Sequence, residues 1–521
     1  MSSSSDFDAL RMVFPALVHI PRRAERRTGD AIRRTFVDLG TLSNSLSSEE
    51  HQIVYGRRGT GKTHALENLV QHVRSDNATA ISVDLRTIGS AGSYYLTAPE
   101  GVATSATRVI VDLLEETHHQ LLERSLELMD DGTDITQLVR HLDSLAVASA
   151  DIEIVGNTEA SEESATSNRG EQTFNVSLSS SPAFALGENS AEERTRIYRR
   201  SQAGLERFAL KFGPIARSLA GAVSCLPHNS LWVILDEWSA LPLEVQPLVA
   251  DFLRRCMLPV KGLVVKIAAV QARSQFNRYG GGQYLGMELG ADIMQDLDLD
   301  EYLVWNARNS RADEFFMRLF AQHVSEYWRT RKIELTADEA RHYLWRAIPS
   351  GDFPYLVMAG GGVPRDAINV ASMAAGESGR DPINWQHISA ATRKWFLNDK
   401  ESHIRSDHAS RRVLQNLRAY AEAQHRRGFM LDRHHDGASP EIQDLYDARI
   451  IHRIARGVGP GAKYDAFLLD FGLYADIVSE SDSLKGWREN WLSKWSDFDP
   501  TKAPEVRQSV LAMEDLRRVV R

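Results

Sequence analysis

Residues 51–73 read HQIVYGRRGTGKTHALENLVQHV. A short apolar run, Ile53 to Tyr55, enters a loop with three glycines that ends in Lys62 and Thr63. Ala65, Leu66, Leu69, Val70 and Val73 then recur at helical spacing. A loop this rich in glycine costs backbone entropy, so it belongs where a ligand or a chain must approach the backbone closely. Gly56, Gly61, Lys62 and Thr63 fit the template G-x-x-x-x-G-K-[ST]. The loop and first helical residues, Gly56, Arg57, Arg58, Gly59, Thr60, Gly61, Lys62, Thr63 and His64, are therefore expected to hold ATP. Backbone N–H groups there converge on phosphate oxygens at a helix N-terminus. Lys62 is expected to reach the β- and γ-phosphates, and the Thr63 hydroxyl to bind Mg²⁺. A strand must precede such a loop and a helix must follow it, which predicts an α/β fold.

The other half of such a site is a buried strand that ends in a carboxylate. NSLWVILDEWSALP, residues 229–242, supplies one, with a continuous apolar run from Leu231 to Leu235 followed by Asp236 and Glu237. Asp236 is expected to hold Mg²⁺ together with Thr63. Glu237 is expected to polarise the water that attacks the γ-phosphate, as general base. A solvated acidic turn is the competing explanation for the pair, and the glycine loop weighs against it. Together the two motifs predict an ATPase, converting ATP and water to ADP and phosphate.

The remaining apolar patterns extend the sheet. TAISVDLRTIGS, 79–90, alternates as a second strand, GLVVKIAAVQARSQF, 262–276, holds a buried fourth strand, and LDEYLVWNA, 299–307, reads as a fifth. Helical patterns occupy about 101–128, about 191–226 and most of 310–395. Alternating strands and helices predict a parallel sheet covered on both faces. Residues 130–200 interrupt the pattern as an insertion; DIEIV and TFNVSLS alternate like a hairpin around a polar stretch. Residues 21–34, PRRAERRTGDAIRR, carry six arginines against Glu25 and Asp30. That segment suits either a nucleic-acid arm or a solvated helix face.

GGGVPRDAINVAS, 360–372, sets Pro364, Arg365 and Asp366 at the head of a helix. With GRRGTGKT at 56–63, VILDEW at 233–238, the strand ending at Gln271, and GVPRD at 362–366, residues of about 35–395 resemble an AAA+ ATPase. Within that class the chain is similar to origin-recognition/initiator-type ATPases, including bacterial relatives in mobile elements and antiviral defence loci. The resemblance implies a sheet order of 5-1-4-3-2, a helical lid whose Arg365 touches the γ-phosphate, and a polar first sensor at Gln271, with Ser274 behind it. It also implies a homo-oligomer whose nucleotide site is completed by a neighbour's arginine, for which Arg273 and Arg278 are candidates. The long insertion and the DLRTIGS strand exit depart from the pattern.

After the lid, SRRVLQNLRAYAEAQHRRG, 410–428, is a basic amphipathic helix. PEIQDLYDARIIHRIARG, 440–457, follows as a second helix, and a Gly-Pro-Gly turn divides alternating segments within 456–477. Helix, helix and hairpin resemble a winged-helix domain, with 441–455 as recognition helix and Gly457–Lys463 as wing tip. Arg449, Arg453, Arg456 and Lys463 are then expected to face double-stranded DNA through 440–465. Asp444, Asp447, Asp465 and Asp470 sit among them, which keeps a protein effector open as the alternative partner. The expected division is an extension at 1–34, an AAA+ domain at 35–309 with its insertion at 130–200, a lid at 310–395, and a winged-helix-like domain at 396–521. A net charge of −9 argues against whole-surface nucleic-acid binding. Two cysteines without metal spacing, no signal-peptide pattern and no apolar run of membrane-spanning length predict a cytoplasmic protein without membrane contact.

Overall fold

Five short strands carry the glycine loop: β1 (Gln52–Tyr55), β2 (Thr79–Asp84), β3 (Leu231–Asp236), β4 (Leu263–Ala269) and β5 (Met294–Asp298). The computed structural model describes residues 4–22, 24, 27–38, 42–88, 101–149, 152–155, 205–208, 210–280, 283–302, 310–424, 426–437, 439–480, 498, 500 and 509–518. All pairings in this sheet are parallel, in the order β2-β3-β4-β1-β5, which from the other edge runs 5-1-4-3-2. Every residue of β3 and β4 is buried, because helices cover both faces. The helix Lys62–Ser75 packs on one face against Trp232, Ile234 and Val264. Helices Gly101–Asp130, Phe212–Cys225 and Gln246–Cys256 pack on the other against Ile81, Val233 and Val265. Lys266 is wholly buried within β4, and its Nζ donates to Ser48 O at 2.9 Å and Gln52 Oε1 at 3.1 Å.

The fifth strand lies ahead of its expected place. Leu299–Tyr302 is a helical turn, and 303–309 fall outside the described residues. Leu297 and Leu299 enter the core, whereas Asp298 and Asp300 are drawn in by arginines of other segments. The insertion also differs in detail. Ile152–Val155 pairs antiparallel with Leu205–Phe208, and the expected hairpin segment TFNVSLS at 173–179 lies outside the described residues. Thr136–Ser149 is a helix packed on Phe212–Cys225, and 205–208 are extended where a helix was expected.

The helix Ser4–His19 is no detached extension. Its Leu10, Val13 and Leu17 share a core with Phe316 and Phe320 of the helix Ser310–Arg329 and with Leu344. Arg34 pairs with Glu326 at 2.8 Å, and Arg27 donates to Thr35 Oγ1 at 2.7 Å, so these two arginines of the basic segment face the protein.

That same core runs on into the C-terminal module through Phe396, Val413, Phe429, Phe467 and Leu469. The module comprises the helix His408–Gln424, β6 (Gly428–Asp432), the helix Pro440–Asp447, β7 (Ile451–Val458) and β8 (Tyr464–Leu469), with antiparallel order β6-β8-β7. The recognition helix expected over 441–455 ends at Asp447. Arg449 takes a left-handed φ of +62° and the chain turns into β7. The buried ion pair from Arg449 to Asp366 and the burial of Ile450 and Ile451 favour this turn over a longer helix.

Candidate functional site

The loop between β1 and the helix Lys62–Ser75 folds around its own carbonyls. Thr60 Oγ1 donates to Arg57 O at 2.8 Å, and Lys62 Nζ donates to Gly56 O at 2.6 Å and Arg57 O at 3.1 Å. Gly61 caps the helix with φ +98°, a conformation that favours glycine. Gly59, at φ +91°, lets the lid come close: a Cβ there would lie 2.8 Å from Arg365 Cβ. Arg365 N donates to Gly59 O at 3.2 Å, which joins the head of the helix Pro364–Ser378 to the loop.

The acidic strand meets this loop. Thr63 Oγ1 donates to Asp236 Oδ2 at 2.6 Å, and Glu237 N donates to Asp236 Oδ1 at 2.7 Å. Glu237 holds a left-handed φ of +57°, which turns the chain out of β3. Burial pushes the Asp236 carboxyl up, against the Thr63 hydroxyl bond that lowers it. Burial also pushes the Lys62 ammonium down, although Glu237, Asp236 and Asp300 oppose this. Both shifts follow chiefly from burial, which disfavours the charged form. A phosphate beside Lys62 and a divalent cation beside Thr63 and Asp236 would reverse both shifts. The donor set suits Mg²⁺, which takes few protein oxygens and completes its shell with phosphate and water. Among the described residues no cluster of three or more His, Cys, Asp or Glu forms a metal cage.

Above the loop lies a cleft of about 310 Å³ lined by Arg58, Lys62, Thr63, Arg86, Glu237 and Arg365 among others. Its charge is mainly positive, as an anionic ligand requires. A smaller recess of about 60 Å³ abuts the helix start and is walled by Phe36, Val37, Leu42, Phe315 and Leu319. His64 borders both spaces. Its Nε2 lies 3.1 Å from Ile32 O, and burial pushes the ring down to about 4.

Other expected site residues point elsewhere. Arg57 is 2% exposed, and its side chain turns from the cleft into the C-terminal module. Gln271 does not line the cleft; its Oε1 accepts from Arg456 at 2.9 Å and Arg453 at 3.3 Å. A 3₁₀ turn after β4, Gln271–Arg273, directs it there. Ser274 Oγ lies 3.1 Å from Ser239 Oγ. Arg273 pairs with Asp447 of its own chain at 2.5 Å, whereas Arg278 is exposed on the ribbon Asn277–Gly280. The basic residues expected on a DNA face are largely turned inward: Arg449 to Asp366 and Asp399, Arg456 to Asp298 at 2.9 Å, and Arg453 to Asp298 at 3.7 Å. Lys463 remains half exposed beside Asp432 at 3.2 Å.

Three residues of the site escape motif reasoning. Arg86, at the atypical DLRTIGS exit, binds Asp84 at 2.6 Å and reaches Glu237 Oε1 at 3.7 Å. Asp300 accepts from both Arg57 N and Arg57 Nε at 2.7 Å and so holds the root of the loop. Arg27 lines the cleft beside His323, and burial lowers its guanidinium to about 10. The departure at Arg86 and the arginine-rich segment 21–34 that holds Arg27 were signals, whereas Asp300 has none in local sequence.

No protein-family model and no curated protein matches this chain. Among solved structures it is similar to a chain of Drosophila ORC bound to DNA, with 10% identity and a TM-score of 0.27 over 92% of this chain and 93% of that one. It is also similar to the Aeropyrum pernix ORC1 protein in complex with DNA, with 14% identity and a TM-score of 0.30 over 89% of this chain and 96% of that one.

Proposed function

We propose that this chain is an AAA+ protein that binds ATP with Mg²⁺, hydrolyses it, and uses its nucleotide state to control assembly on or remodelling of a DNA-associated complex. The observation that carries the proposal is the 2.6 Å hydrogen bond from Thr63 Oγ1 to Asp236 Oδ2, which unites the glycine loop with the acidic strand. In this reading the loop N–H groups and Lys62 bind the phosphates, and the apolar recess at Phe36 and Phe315 receives the base. Mg·ATP, when bound, supplies the electrophilic phosphorus and the cation that neutralises developing charge. Glu237 takes the proton of the attacking water, and Arg86 orients its carboxylate. Arg365, fixed to Gly59 through the backbone, reports the phosphates to the lid. Lys62→Ala is expected to abolish tight ATP binding, whereas Glu237→Gln is expected to bind ATP without turnover. Equal turnover in Glu237→Gln and wild type removes Glu237 from the role of base.

A second reading of the partner has its own support. Arg449, Arg453 and Arg456 are engaged by carboxylates of the same chain, which favours a protein effector over direct DNA contact by the C-terminal module. The salt dependence of duplex binding separates the two, since phosphate contacts give a steep slope.

A further inference from the structure

The phosphate loop and the lid are tied to the C-terminal module by one buried polar circuit. From the loop, Arg57 sends NH1 to Ile451 O at 3.0 Å and NH2 to His452 Nδ1 at 3.2 Å, with Tyr446 stacked 4.3 Å from the guanidinium carbon. His452 Nε2 lies 2.9 Å from Asp470 Oδ2. Lys400 Nζ bridges Asp470 Oδ2 at 2.7 Å and Asp366 Oδ2 at 3.0 Å. Asp366 follows Arg365, whose N–H returns to Gly59 O of the loop at 3.2 Å. The path closes on itself.

Chemistry fixes the protonation of its centre. A guanidinium only donates, so Nδ1 of His452 accepts, and a carboxylate only accepts, so Nε2 carries the hydrogen. His452 is therefore a neutral ring that transmits direction between Arg57 and Asp470. Burial, which pushes it down to about 4, agrees. The lid is shaped to admit it: a Cβ on Gly361 would lie 2.4 Å from His452 Cε1. Arg57, Asp366, Lys400, His452 and Asp470 are each 2% exposed or less. Buried ion pairs contribute little net stability compared with apolar packing, but they fix geometry, because a displaced member leaves charges unpaired.

We propose that the C-terminal module braces the nucleotide cleft, with Arg57, His452, Asp470, Lys400 and Asp366 as positioning residues that hold the phosphate loop and the lid head in register. The proposal rests on the ATP reading above. It makes ATP binding and the conformation of the module reciprocal, since coupling between two sites acts equally in both directions. Nucleotide tightens the loop around Arg57; Arg57 tightens β7 and β8 through His452 and Asp470.

The test combines affinity for Mg·ATP with hydrogen exchange of β7 and β8, with and without nucleotide, in the full chain. In wild type, nucleotide should increase protection of both strands. His452→Leu should lose that nucleotide-dependent protection and weaken ATP by about 5–150-fold, the ordinary range of such couplings. His452→Gln, which keeps one donor and one acceptor, should restore both. A merely structural histidine would alter protection equally with and without nucleotide. Should His452→Leu fail to fold, Arg57→Lys, which keeps the charge but not the fork, is read in the same way. Wild-type affinity together with wild-type nucleotide-dependent protection in the variant overturns the brace while leaving the ATP reading intact. Absence of Mg·ATP binding by the wild type overturns both.

Discussion

Replacing Lys400 with methionine removes a buried cation with little change of shape. Lys400 is inaccessible to solvent and neutralises two carboxylates, Asp366 at 3.0 Å and Asp470 at 2.7 Å. Asp366 keeps Arg449 at 3.0 Å and the Trp395 Nε1 donor at 3.1 Å. Asp470 is left with neutral His452 and the Gly472 N–H at 2.9 Å, and among the described residues no cation is in direct contact with it. Burial alone would raise its carboxyl, and Lys400 with His452 holds it well below the usual range. Orphaning one member of such a buried pair costs about 3–5 kcal/mol. The chain contains several packed units, so the effect is best read locally, as the opening free energy of β8 amides in hydrogen exchange. At about 1.36 kcal/mol per tenfold, protection there should fall by about 10²–10⁴-fold. The double variant Lys400→Met/Asp470→Asn removes the stranded charge and should regain about tenfold or more. Protection within about threefold of wild type in Lys400→Met, or simple additivity in the double variant, refutes the reasoning.

Gly59→Ala introduces a Cβ 2.8 Å from Arg365 Cβ at a φ of +91°, and should weaken ATP binding by about tenfold in a titration, from roughly 1–2 kcal/mol of backbone strain. Arg278→Ala should reduce ATP turnover per chain and remove its dependence on protein concentration, whereas Arg273→Ala should chiefly loosen the contact with Asp447; turnover independent of concentration in wild type rules out a shared site. Reversing Arg453 and Lys463 to Glu should flatten the salt slope of duplex binding if the module contacts DNA, and unchanged affinity with ATPase intact assigns it to a protein partner. His452 is held at about 4, below its ordinary 6.5, so the unfolded chain takes up a proton first as pH falls through 6.5 toward 4. Stability is then lost on acidification, by about 1–2 kcal/mol at pH 5, and His452→Gln should show a shallower fall in melting temperature between pH 7 and pH 5.

The meeting of Thr63 with Asp236 was legible because the loop that leads to Thr63 and the carboxylate of Asp236 both follow from the C-terminal ends of strands in one parallel sheet, where local pattern dictates direction. The direction of Arg57 was not: its acceptors at Tyr446 O and Ile451 O lie 389 and 394 positions away, and a loop arginine beside a glycine motif gives no hint of them. The same holds for β5. The sequence pattern put Asp300 inside a strand at 299–307, and nothing within ten residues shows that Arg456 and Arg57 arrive from elsewhere to hold Asp298 and Asp300 at the sheet edge. Arg449 is the sharpest case. Its neighbours favour a continuing helix, and tertiary ion pairs to Asp366 and Asp399, with a left-handed backbone, end it. Local periodicity records which residues want burial, whereas the pairing of buried charges is settled by the assembled fold.

The antiparallel pairing of Ile152–Val155 with Leu205–Phe208 sets Val155 and Leu205 side by side, one strand spacing or about 5 Å apart. Two flanking residues that already meet make a port in the domain rather than the two sides of a span. Doubling the length of a flexible loop adds only about 0.6 kcal/mol of closure entropy, so this position tolerates large changes in what it carries. A short turn joining Val155 to Leu205 should leave the sheet and its cleft intact, and a foreign domain with adjacent termini should be accepted there. Related chains are then free to exchange the cargo at this port while preserving the phosphate loop, the acidic strand and the braced C-terminal module.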